Sequence, residues 1–113
     1  MLFFITGTNW ARGGIATQSS TYPTGVPQKA IDGNRASNWK EGSIAHTQGD
    51  FKPWWRVDLR MAIKVYSVTI TNRKDCCANR LKGAEIRIGN SLSDNGNSNQ
   101  RYIHFNDSVA FSR

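Results

Sequence analysis

Asn72-Arg73-Lys74-Asp75-Cys76-Cys77-Ala78-Asn79-Arg80 holds both cysteines of the chain, three of its fifteen basic residues and a carboxylate set among them. A trans peptide separates neighbouring Cα atoms by about 3.8 Å, below the roughly 4.4–6.8 Å that ordinary disulfides span. A Cys76–Cys77 bond therefore closes a strained eight-membered ring, with a distorted or cis peptide, that its surroundings must hold. Such a ring cannot staple distant segments, but it offers a rigid, flat, apolar sulfur surface at a loop tip. Two reduced neighbouring thiols are the alternative that the pair alone leaves open. Arg73 and Arg80 each carry a fixed fork of N–H donors, and Asp75 is placed to hold one fork in a single rotamer. Two forks beside a small apolar platform suit a ligand with acceptor oxygens on one side and a C–H face on the other, which is the layout of a sugar. Arg-x-Asp is also compatible with a solvated basic turn whose ion pair contributes little.

Working outward, the stretch lies between two predicted strands. Val65–Thr71 is β-branched and aromatic, with Tyr66, Val68 and Ile70 on one side, and Ala84, Ile86 and Ile88 alternate with Glu85 and Arg87. Upstream, Trp55, Val57 and Leu59 alternate with Arg56 and Asp58 as a half-buried strand. Asn9 to Thr21 reads as an early strand kinked at Gly13-Gly14. Tyr22-Pro23-Thr24-Gly25-Val26-Pro27 breaks it as a loop, Gln28–Ile31 forms one helical turn, and Asp32-Gly33-Asn34 closes a tight turn. Ser91–Gln100 is polar and turn-rich, and Arg101–Arg113 holds one alternating piece at best. No helix-period segment or internal repeat appears. The pattern is all-β, and it puts the cysteine loop at one end of a sheet, where binding residues usually sit.

His46 precedes Arg73 by some two dozen residues; Asp75 follows, then Cys76 to Asn79 fill a four-residue gap before Arg80. This order resembles the signature of the F-type lectins, the fucolectin family of the discoidin-like β-sandwich superfamily, including the Cys-Cys inside the gap. The resemblance covers roughly Asn9 to Gly96. It implies an antiparallel β-sandwich, a discoidin-like jelly roll, over residues 9–113, preceded by a short extension at 1–8. It implies binding of terminal L-fucose without catalysis. His46, Arg73 and Arg80 would hydrogen-bond the sugar, a Cys76–Cys77 disulfide would pack on its carbon face, and Asp75 would position the arginines. Trp39 and Lys40 fall where the family lines a pocket for the fucose methyl group; Lys40 departs from the aromatic pattern. Tyr22 is a further candidate wall, and both aromatics would serve equally in a core.

Asp32, Asn34 and Ser43 are hard oxygen donors of the kind that Ca²⁺ takes. The family's similar Ala-Ile-Asp-Gly-Asn segment implies a structural calcium held by Lys29 (through its carbonyl), Asp32, Asn34 and Ser43. The family completes that site, and its sandwich, with later residues for which this chain shows no counterpart. Ile44 stands where many members have a cysteine. The chain is therefore read as a shortened or divergent member lacking its last strands, with unpaired edges.

The 113 residues suffice for one domain. A net charge of +7 raises nucleic acid as a partner, but the basic residues are scattered with no run beyond Arg73-Lys74, so no nucleic-acid stripe is expected. No stretch is long enough to span a bilayer. Met1–Ile5 is too short an apolar run for a signal peptide, whereas the family resemblance implies secretion, calcium and a role in innate immunity. Asn106-Asp107-Ser108 is a glycosylation sequon. Fucosylated cell-surface or microbial glycans are the implied partners, with avidity from a homo-oligomer or tandem domains. Two other classes fit parts of the sequence: an enzyme, either a redox-active vicinal dithiol or a Cys-His hydrolase using Cys77 with His46 or His104, and a basic discoidin-like adhesion or lipid-binding domain presenting Trp39 and Trp54.

Overall fold

Gly, Pro, Asn and Ser interrupt the apolar alternation every few residues, so each regular element is short. The computed structural model describes residues 9–65 and 68–104, the last three by backbone alone. In chain order these form a 3-10 turn at Trp10–Gly13, β1 (Ile15–Gln18), 3-10 turns at Pro27–Ala30 and Trp39–Glu41, and β2 (Trp55–Asp58). A 3-10 turn at Ala78–Leu81, β3 (Glu85–Ile88), a turn at Ser93–Gly96 and β4 (Gln100–His104) follow. β1 pairs antiparallel with β2, setting Ala16 opposite Val57, and β3 pairs antiparallel with β4. No α-helix occurs among the described residues, so the architecture is the expected all-β one.

The alternation in β2 works as predicted: Trp55, Val57 and Leu59 pack on the cluster of Ala11, Ala16 and Ile31. On the other face Arg56 Nε donates to Thr17 Oγ1 at 2.8 Å. The predicted helical turn is present as Pro27–Ala30, and it is sewn to the sheet by Trp55 Nε1 donating to the Pro27 carbonyl and Gln28 Nε2 donating to that of Ala16, both at 3.0 Å. Gly14 is required by close approach: a Cβ there would lie 2.6 Å from Val57 Cγ2.

Three strand expectations need correction. The Asn9–Thr21 segment is not one kinked strand, because Asn9 Oδ1 accepts from Ala11 N at 3.1 Å and caps a 3-10 turn; the strand begins only beyond Gly14. The Val65–Thr71 strand falls partly on residues 66 and 67, outside the described residues; of the remainder, Thr69 alone forms a β-bridge, and Ile70 is buried. β4 is an element that the polar run before it obscured. There Asn99 closes the connection with its amide, Oδ1 accepting from Ser91 N and Nδ2 donating to the Ser91 carbonyl. Residues 1–8 and the Asn106 sequon lie outside the described residues.

Apart from Ile31 and Ile70, the buried apolar residues among those described are alanines. So thin a core leaves the loops at the end of the sheet to be held by polar contacts, and those contacts build the site.

Candidate functional site

Asn72 closes the cysteine loop, its Oδ1 accepting from Arg73 N at 2.9 Å and its Nδ2 donating to the Ala78 carbonyl at 3.0 Å. Lys74 N then donates to the Ser37 carbonyl at 2.9 Å, and Asp75 Oδ1 accepts from Trp39 N at 3.2 Å, fastening the loop to the 37–41 segment. Asp75 grips Arg73 bidentately, Nε to Oδ1 at 2.8 Å and Nη2 to Oδ2 at 2.9 Å, the geometry that fixes a guanidinium most firmly. The Arg73 hydrogen bonds, aided by Trp39 N, hold the Asp75 carboxyl down at about 2, and Asp75 in return raises the Arg73 guanidinium. Arg73 is thereby left with Nη1 unengaged among the described residues and its guanidinium carbon 5.4 Å from the Trp39 ring centroid.

Cys76 and Cys77 are disulfide-bonded, with Cα atoms 3.7 Å apart. The cis peptide allowed as one way to close the ring does not occur; Cys77 instead takes a left-handed conformation, φ +64°. Its carbonyl accepts from Arg80 N at 3.0 Å and opens the turn that carries Arg80. With the two cysteines joined, no free thiol stands beside His46 for a Cys-His hydrolase to use. His104, the other histidine in that alternative, lies where only backbone is described.

His46 is placed by the Tyr22–Gly25 turn. Tyr22 N donates to the His46 carbonyl at 2.9 Å, His46 N to that of Gly25 at 2.9 Å, and Gly25 N to that of Tyr22 at 2.8 Å. Gln18 Nε2 reaches the Gly25 carbonyl at 2.9 Å and braces the turn from β1. A Cβ on Gly25 would lie 2.6 Å from His46 Cβ, so only glycine permits this approach. The imidazole Nδ1 meets the Thr47 carbonyl; a carbonyl only accepts, so Nδ1 carries the proton and Nε2 faces Arg80 Nη1, at 3.2 Å, as an acceptor. Tyr22, Trp39 and His46 pack on one another, with ring centroids 4.8–5.8 Å apart.

An open cavity of about 940 Å³ brings together Tyr22, Trp39, His46, Arg73, Cys76 and Arg80, six of the predicted residues. Asp75 and Cys77 are not part of this lining, Asp75 acting through its hydrogen bonds to Arg73, and the exposed Lys40 is likewise outside it. The same cavity runs on along Thr47–Asp50 and Pro53, which nothing in the motif spacing flagged. Fixed N–H donors, one sulfur surface and aromatic edges converge on one space. No acid pair sits among them to perform hydrolysis.

The predicted metal residues form a separate polar turn. Asp32 Oδ1 accepts from Asn34 N at 2.8 Å, Asn34 Oδ1 accepts from Ala36 N at 3.0 Å, and the buried Ser43 hydroxyl donates to the Ala36 carbonyl. Gly33, at φ +86°, makes the turn, and the Arg12 guanidinium lies against it. Lys29 sits in the neighbouring 3-10 turn, its ammonium donating to the Thr24 carbonyl. No group of three His, Cys, Asp or Glu residues fit for a metal exists among the described residues, so any ion here would rest on carbonyl, amide, hydroxyl and single-carboxylate oxygens. That donor set is suited to Ca²⁺ and not to softer metals.

Comparison with known proteins agrees with this arrangement. Residues 29–110 match the model of the NedA-like, galactose-binding domain family. Fucolectin-1 of Anguilla japonica is 53% identical over 97 residues, covering 80% of this chain and 54% of that protein, and the fucolectin of Anguilla anguilla is 48% identical over 99 residues, covering 83% and 63%. The chain thus spans between about half and two thirds of the length of these curated relatives. Among solved structures, the F-lectin (fucolectin) from Morone saxatilis (striped bass) serum superposes with a TM-score of 0.85 at 50% identity, covering 88% of this chain and 34% of that one. A Streptococcus pneumoniae fucose binding module superposes with a TM-score of 0.73 at 31% identity, covering 96% and 74%. The paired antiparallel strands, the vicinal disulfide with its flanking Arg73, Asp75 and Arg80, and these similarities together make the chain a member of the F-type lectin (fucolectin) family, with a discoidin-like β-sandwich fold.

Proposed function

We propose that this domain is a non-catalytic lectin for terminal L-fucose. The observation that carries the reading is the convergence of His46, Arg73, Arg80 and Cys76 on one cavity. Arg73 Nη1 and the Arg80 N–H groups not facing His46 are the donors to sugar oxygens, and their positions are set by Asp75 and His46 before any ligand arrives. The disulfide surface and the Trp39 and Tyr22 rings meet the sugar's carbon face and methyl group. Relatives named fucolectins, and a solved fucose binding module, support the choice of sugar.

Ca²⁺ is proposed as a structural ion held by the Lys29 carbonyl, Asp32, Asn34 and Ser43, supported by their all-oxygen donor set; when bound it would cross-link the 29–43 segment. Secretion, and fucosylated cell-surface or microbial glycans as partners, belong to the same proposal, supported by the fucolectin relatives and by the serum origin of the Morone saxatilis lectin. No helix among the described residues is long and apolar enough to cross a membrane. A single site of this kind is weak, and homo-oligomerisation or tandem domains would supply avidity.

Calorimetric titration of L-fucose into the oxidised protein in calcium buffer, with D-galactose as control, tests the reading. Saturable heat with fucose alone is expected; no heat from folded protein overturns it.

A further inference from the structure

Away from the sugar cavity, the guanidinium of Arg12 is a placed charge that the fucose cluster does not use. Arg12 is carried by the 3-10 turn at Trp10–Gly13, where Asn9 is the cap and Arg12 N donates to the Asn9 carbonyl at 3.3 Å. Ala11, just before it, is fully buried and shares a cluster with Ile31, the residue just before Asp32. That packing fixes the two backbones against each other one residue short of Arg12 and of the Asp32-Gly33-Asn34 turn. The guanidinium then lies across the turn: Nη1, Cζ and Nε are 3.2, 3.3 and 3.4 Å from the point that a Cβ on Gly33 would occupy. Edge-on contact through the two nitrogens would set Cζ farther off than both, so the group is stacked face-on. No ion pair engages Arg12 or Asp32 among the described residues, where the ion pairs are those of Arg73 with Asp75 and of Arg87 and Arg101 with Glu85. The Lys29 ammonium is committed elsewhere, to the Thr24 carbonyl.

Gly33 stands between two of the four proposed calcium donors, and neighbouring Cα atoms are about 3.8 Å apart. A charge stacked on Gly33 is therefore within one residue of Asp32 and of Asn34 alike. Toward the Asp32 carboxylate it is attractive, and toward a divalent cation sharing those oxygens it is repulsive. The donor set holds a single carboxylate to set against that repulsion, and a guanidinium does not relieve it by losing its proton. Screening over roughly 8 Å at physiological ionic strength weakens the effect without erasing it.

We propose that Arg12 sets the affinity of the ion site: its guanidinium and Ca²⁺ are rival cations for the Asp32-Gly33-Asn34 turn. The turn is braced when calcium is scarce, and the ion is held less tightly than its oxygens alone would hold it. This rests on the calcium reading above.

The test is calorimetric titration of calcium chloride into chelator-stripped protein, for the wild type, Arg12→Gln and Arg12→Lys, at low and at high ionic strength. Arg12→Gln is expected to bind calcium about fivefold more tightly than the wild type at low ionic strength, with the gap narrowing as salt is added. Arg12→Lys, which keeps the charge, is expected to stay within about twofold of the wild type. By linkage, the rise in melting temperature on adding calcium is larger in Arg12→Gln than in the wild type. Unchanged or weaker calcium binding in Arg12→Gln overturns the proposal; a group that merely held the turn in shape would give the weaker binding. Arg12→Lys binding as tightly as Arg12→Gln overturns the electrostatic rivalry. If neither the wild type nor Arg12→Gln takes up calcium, the calcium reading falls and this one with it, whereas calcium uptake that the substitution leaves unchanged removes this one alone. Should Arg12→Gln fail to fold, NMR on the wild type decides: an Arg12 Nε–H resonance that shifts and saturates with calcium supports the rivalry, and an unmoved resonance overturns it.

Discussion

Asp75 touches no cavity space, yet the direction of the Arg73 guanidinium depends on it. Its carboxyl is depressed to about 2 from an ordinary 3.8, mainly by the Arg73 hydrogen bonds. Because the folded value lies below the unfolded one, the stabilisation from this pair is fully present above about pH 4 and is lost as pH falls through about 2. Titrating the Asp75 carboxyl carbon by NMR should give a midpoint near the lower figure in the native protein, and a midpoint shifted up toward the ordinary value in Arg73→Ala. A midpoint unmoved by that substitution would mean that the ion pair does not form in solution. Gly25 acts in a similar indirect way. Gly25→Ala puts a methyl group 2.6 Å from His46 Cβ and 3.0 Å from its amide nitrogen. The expected cost is about 1–3 kcal/mol of stability by overpacking, read by thermal melting, together with loss of fucose affinity. Wild-type affinity in Gly25→Ala would show that His46 tolerates displacement.

The cysteine loop is an element with no hydrogen-bonded ladder of its own, and its shape comes from Asn72, Asp75 and the disulfide. The ring closes over a sequence separation of 1, so it removes almost no freedom from the unfolded chain. Replacing both residues, Cys76→Ser with Cys77→Ser, should therefore move the melting temperature by only a degree or two while weakening fucose binding about tenfold, since the apolar platform is lost. Cooperative destabilisation by many degrees would assign the ring a structural role instead. At this scale the sequence was informative where the side chains themselves carry the pattern. Trp55 and Val57 in β2, with Leu59 just after it, alternate in the chain as they do in space. The Tyr22–Gly25 turn was legible as a turn and not as the brace of His46, because Pro23 and Gly25 fix a local bend but say nothing of what it leans on.

For the molecule as a whole, the described core is small, built around Ala11, Ala16, Ala30, Ile31 and Ile70. An ion that ties the 29–43 segment together would then make a visible difference. Calcium at about 100 times its dissociation constant contributes about 2.7 kcal/mol, which for a chain of this size corresponds to a rise in melting temperature of roughly 10 °C over the chelated protein. Equal melting temperatures with calcium and with chelator would refute the ion site.

The sequence by itself determined the chemistry and the class. Arg73, Asp75, the Cys76–Cys77 pair and Arg80 lie within nine residues, close enough for covalent geometry and fixed donor forks to be reasoned about directly, and the strand alternation needs only a period of two. Tertiary structure alone decided what meets across distance: that Gln18 and Gly25 set His46, that Lys40 stays outside the cavity, and that the Arg12 guanidinium lies over Gly33. Each of those contacts joins residues on separate loops. Their spacing along the chain carries no period or motif, and it is the folding of the sheet that brings them within hydrogen-bond reach.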